Sequence, residues 1–67
     1  MQKDLDKALQ DASAWLYLDG VEAIGKGDYE GEPCIVVITT KKPEEFAGII
    51  PEEFQGFKVI IEMANNS

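Results

Sequence analysis

The eight residues Pro33 to Thr40, Pro-Cys-Ile-Val-Val-Ile-Thr-Thr, constrain the fold of this chain more than any other stretch. In an extended backbone Cys34, Val36 and Ile38 fall on one side and Ile35 and Val37 on the other, so neither side is built for water. The β-branched residues from Ile35 to Thr40 have little χ1 freedom to lose in a pleated strand, and the run is too short for a buried helix. Pro33 has no N–H to give to a ladder and suits the first position of such a strand. The pattern predicts a central strand over 33–40, with the remaining residues of a single small domain, 1–67, arranged as its cover.

A chain of 67 residues hides only about 60% of the surface it exposes when unfolded, so its stability is marginal or shared. A hydrophobic content of 45% supports a small core without a metal or disulfide framework. One cysteine, Cys34, cannot form an internal disulfide and gives no sign of an oxidising compartment. No basic-then-apolar leader and no long apolar run is present, and the expectation is a cytoplasmic protein without a membrane partner. Thirteen acidic residues against six lysines, with no arginine or histidine, give a net charge of −7. Nothing supplies the basic stripe that nucleic acid needs, so the charge either keeps a small domain soluble or meets a basic protein partner.

Before the central strand, Leu5, Ala8, Leu9, Ala12 and Leu16 recur on one face of an amphipathic helix over 3–19. Asp4 and Asp6 suit its first turns, and Gly20 suits its close. The group Trp15, Leu16, Tyr17, Leu18 is wider than one stripe, so one or two of these side chains reach past the core. A second strand is predicted over 21–26, with Val21, Ala23 and Gly25 on one face and Glu22, Ile24 and Lys26 on the other. A six-residue hairpin loop, 27–32, then leads into the central strand. After it comes an internal echo, Pro43-Glu44-Glu45-Phe46-Ala47-Gly48 and Pro51-Glu52-Glu53-Phe54-Gln55-Gly56, which predicts one or two single-turn helices. A third strand is predicted over 57–63, with Phe57, Val59, Ile61 and Met63 facing inward, and Ala64 to Ser67 forms a frayed polar end.

Candidate chemistry is sparse. Gly25-Lys26-Gly27 follows a strand but leads into another strand, so no helix N-terminus is offered to a phosphate, and Asp28 and Glu30 repel one. Asp28, Glu30 and Glu32 alternate, yet their spacing is not that of a calcium loop. Without histidine, neither Cys34 nor Ser13 has its ordinary base, and the common zinc ligand sets are missing. The expectation is a protein that is not an enzyme and holds no cofactor and no metal.

Gly20-Val21, Ile24-Gly25-Lys26-Gly27, Gly31-Glu32-Pro33-Cys34-Ile35-Val36-Val37, Ile50-Pro51 and Gly56-Phe57-Lys58-Val59 together resemble a family of short bacterial domains. Their pattern is GVxxIGxG, GxPxIxV, IPxxxxGxxV after one helix, and related segments stand ahead of trypsin-like domains. The resemblance covers Leu16 to Glu62 and rests on glycines, prolines and apolar positions, so it implies a fold and carries over no catalytic residue. Glu22 stands where an apolar residue is common in that family, and relatives continue past the third strand.

The expected architecture is α+β: an N-terminal amphipathic helix packed on a three-stranded, mainly antiparallel sheet, with one or two short helical turns before the last strand. The position of that strand is open, because a 16-residue connection, 41–56, reaches either neighbour. The helix covers one face, supplied by Val21, Ala23, Val59 and Ile61. The other face, carrying Ile24 and Ile60 beside one side of the central strand, asks for cover from a second copy, from a protein partner, or from Phe46, Ile49, Ile50 and Phe54 folding back. Ile24 and Ile60, with the aromatics Trp15, Tyr17 and Tyr29, are the candidate interaction surface. The function this implies is a non-enzymatic interaction or regulatory module, a homodimer among its forms; the resemblance implies an alternative, an accessory or prodomain-like element of a protease or other enzyme system.

Overall fold

The computed structural model describes residues 4–64; Lys3, at the expected helix start, and residues 65–67 of the expected frayed end lie outside them. The fold is α+β, one helix and two 3-10 turns set against a four-stranded mixed sheet among the described residues. Helix α1 spans Leu5–Ala12. Asp4 caps it, its carboxylate accepting a hydrogen bond from the Lys7 amide at 3.1 Å, and Asp6 lies in the first turn where the macrodipole favours an anion.

The helix ends earlier than its apolar stripe suggests. The Ser13 hydroxyl donates to the Gln10 carbonyl at 2.6 Å, the kind of local side-chain bond that competes with helix, and Ser13–Tyr17 tightens into a 3-10 turn. With three residues per turn, Trp15 and Leu18 share the side that packs on the core. Leu16, expected on the stripe, is turned out and 44% exposed.

Strand β1, Val21–Tyr29, pairs antiparallel with β2, Glu32–Thr39. The expected six-residue loop is a two-residue turn, because Glu30 (φ 52°) and Gly31 (φ 82°) both occupy the left-handed region and match the twist of the flanking strands. β1 therefore runs three residues past its expected end at Lys26. β3 is the short strand Glu53–Phe54 and β4 is Phe57–Met63. The strand order is β1-β2-β4-β3, with β2 in the interior as its composition requires. β4 has the expected bounds and lies parallel to β2, so the sheet is mixed, with antiparallel pairs at its two sides.

The two copies of the echo fold differently. Pro43–Phe46 is a 3-10 turn with Pro43 in its first turn. In the second copy Gln55 (φ 53°) and Gly56 (φ 85°) make a turn that folds Phe54 back against Phe57, giving β3 in place of a helix. The Gln55 amide donates to the Asp11 carboxylate at 2.7 Å, tying this turn to the end of α1 and lowering the Asp11 pKa. At the other end of the domain, Lys41 donates to Asp19 at 2.7 Å, lowering the pKa of Asp19 and raising that of Lys41.

One core lies between the sheet and its cover. Ile35 and Val37 of β2 and Phe57 and Val59 of β4 are buried with Ala8, Phe46 and Ile50, while Leu5, Leu9, Trp15, Val21, Ile24, Phe54 and Ile61 pack around them. The helix and the connection thus share one face of the sheet. Phe46 and Ile50 do not fold over the outer face, and Ile49 is 56% exposed.

Candidate functional site

Residues opposite one another in register project to the same face. Ile24 pairs with Val37, which pairs with Ile61, all on the helix side. Gly25 pairs with Val36, which pairs with Ile60, all on the opposite side. That outer face carries Ala23, Gly25, Gly27 and Tyr29 from β1, Cys34, Val36 and Ile38 from β2, Lys58, Ile60 and Glu62 from β4, and Glu53 from β3. No other element of the described residues lies over it.

Here the expected faces are corrected. A bulge between Val21 and Ala23 inserts one extra residue into β1. Val21 and Ile24 consequently both turn to the helix side, and Ala23 moves to the outer side. Ile24 and Ile60, expected to share the uncovered face, stand on opposite faces.

The middle of the outer face is apolar: Val36, Ile38 and Ile60 are half-buried, and Cys34 is enclosed, 1% exposed, as its strand position predicts. Val36 leans over Gly27, where a Cβ would lie 2.8 Å from its Cγ2. A Cβ on Gly25 would meet nothing, so the β1 side of the face is a shallow trough.

At the hairpin end the face opens into a cleft of about 360 Å³ lined by Tyr29, Glu30, Glu32, Pro33, Cys34, Glu53, Gly56 and Lys58. The Lys58 ammonium stands 5.0 Å from the centroid of the Tyr29 ring. Glu30, Glu32 and Glu53 take part in no ion pair among the described residues, so three carboxylates face one ammonium. Among the described residues no three His, Cys, Asp or Glu side chains are grouped to hold a metal ion. The chemistry this arrangement offers is an apolar strip with an acidic end.

Of the five candidate residues, Ile60 and Tyr29 (43% exposed) belong to the outer face. Trp15 is packed edge-on to Phe54, centroids 4.9 Å apart, on the core side with Ile24. Tyr17, 92% exposed at the end of the 3-10 turn, belongs to neither group. Val36 and Ile38 were one of two alternatives for the outer side of the central strand, and Glu32 and Glu53 carried no sequence signal of a shared cleft, since β3 brings Glu53 there.

The fold and the face together define a small two-layer α+β domain, its mixed sheet covered on one side by the described residues. No helix among the described residues is long and apolar enough to cross a membrane. No protein-family model, no curated protein and no solved structure matches the chain.

Proposed function

We propose that this protein is a non-enzymatic interaction or regulatory module that binds a protein partner, or a second copy of itself, through the outer face of its sheet. One observation carries this reading. At the middle of the outer face Val36, Ile38 and Ile60 form an apolar strip over which no other element of the described residues lies. Burying such side chains fully contributes roughly 1.5–3 kcal/mol each relative to full exposure. For half-buried residues a part of that remains for a partner to gain.

With thirteen acids against six lysines the partner is protein and not nucleic acid. A cytoplasmic setting belongs to this proposal, since the buried thiol of Cys34 calls for no oxidising compartment.

The test is Ile60→Asp, which places a charge on the outer face and leaves the core untouched. Its fold is checked by circular dichroism, its association state by sedimentation equilibrium and its partners by pull-down from the native cell. The expected outcome is a folded variant that loses self-association or a partner that the parent retains. A monomeric parent whose folded variant keeps every partner overturns the reading. If the partner lost is a hydrolase, the module takes the accessory role that the family resemblance implies.

A further inference from the structure

The size and charge of the outer face narrow what can cover it. Three strands about 4.8 Å apart and five residues of about 3.3 Å rise give a patch of roughly 14 by 17 Å, apolar except for Lys58 and Glu62 at its β4 margin. That is roughly 250 Å², a third of the ~800 Å² that each side of a standard interface buries. Two sheets meeting over this patch would rely on the polar rim for the rest of their contact. In that rim Glu32, Glu53 and Glu62 of each copy would oppose one another, with Lys58 as the one cation that the described strands place on each face. A single helix, about 10 Å across and three turns long, matches the patch.

The strand edge of β1 is a poorer seat. It is kinked by the bulge at its start and carries Lys26, two features that discourage strand addition.

Resting on the docking role proposed above, we infer that the occupant of the outer face is an amphipathic helix of another protein, with basic flanks. Its apolar stripe lies on Val36, Ile38 and Ile60 and covers the apolar strip that the described residues leave open. A lysine or arginine from one end of that helix enters the acidic cleft beside Tyr29, where Glu30, Glu32 and Glu53 have no ion-pair partner among the described residues. The trough over Gly25 is the place of closest approach, because a Cβ there would meet nothing among the described residues.

The probe is a synthetic peptide of about 18 residues, five helical turns, with leucines on one face and lysines on the other. It is titrated into the isotope-labelled protein and followed by amide and methyl shifts. The expected result is saturable binding with shifts centred on Ala23–Gly27, Val36, Ile38 and Ile60, weakening steeply between about 0.05 and 0.5 M salt. Gly25→Val, whose Cβ has open space around it, and the surface reversals Glu53→Lys and Glu62→Lys should each keep the fold and weaken binding, the pair of reversals by about tenfold.

Equal binding of a peptide with glutamate in place of lysine overturns the charge assignment. Shifts on the helix side of the sheet, or no binding at about 1 mM peptide, overturn the helix proposal. A dimer that buries Val36 and Ile60 replaces the helix with a second copy and leaves the docking role standing. Retention of every native partner by Ile60→Asp removes that role itself.

Discussion

Val36 and Val37 are adjacent, chemically identical and on opposite faces of the central strand, so their truncation to alanine isolates what the helix layer contributes. Val37 is fully buried, 0% exposed, in the cluster with Ile35, Phe46 and Val59. Removing two methyl groups there loses about 0.8 kcal/mol each in transfer free energy, and the unfilled space raises the total to roughly 2–3 kcal/mol. Val36 is half-buried beside Gly27 with no layer of the described residues above it. Water fills the space left by its methyl groups, no cavity forms, and the loss is below about 1 kcal/mol. A domain of this size is stable by about 3–10 kcal/mol, so Val37→Ala removes a large share of the total and lowers Tm by roughly 10–20 °C. The assay is urea unfolding followed by circular dichroism and by the fluorescence of Trp15, at two protein concentrations so that the parent and both variants are compared as monomers. The m value should stay constant while the midpoints separate. Equal losses at the two positions in a monomer would refute a sheet covered on one face.

Three further outcomes are expected. Gly25→Ala, whose Cβ meets nothing, should be neutral or stabilise by up to about 1 kcal/mol, whereas Gly27→Ala, whose Cβ falls 2.8 Å from Val36, should destabilise; reversed signs in thermal melts would contradict the packing of the outer face. Cys34, 1% exposed, should react with a thiol reagent only as fast as the domain opens, and rapid stoichiometric labelling of the native protein would show otherwise. Asp19 should titrate below its ordinary value because Lys41 donates to it. A depressed carboxylate pKa adds stability that is complete above the unfolded value, about 3.9, and is lost as pH falls through the folded value. The stability gap between parent and Asp19→Asn should therefore be open at neutral pH and close in acid; a gap that persists in acid would mean that this ion pair is not its source.

What could be read from the chain by itself is what local chemistry dictates. Ile35 to Thr40 are β-branched with apolar residues on both sides, and no neighbour is needed to make that run a strand or to send it to the interior of the sheet. Leu5, Ala8, Leu9 and Ala12 mark a helix face in any context, and Asp4 caps it with its own side chain. The strand 57–63 was legible for the same reason. Tertiary structure decided the rest. The two Pro-Glu-Glu-Phe copies carry the same local signals, yet only the first stays a helical turn. The second has β4 beside it, and the ladder from Glu53 to Lys58 with the Gln55 tie to Asp11 outweighs a single turn of helix, whose nucleation is unfavourable in isolation. Alternation alone puts Ile24 on the wrong face, because it counts residues and a bulge adds one that no residue type announces. The uncovered face has the same origin. An apolar strand side shows that cover is wanted, but whether α1 and the connection lie on one side of the sheet or on both depends on where the chain crosses between β2 and β4, a long-range choice that no short stretch of sequence contains.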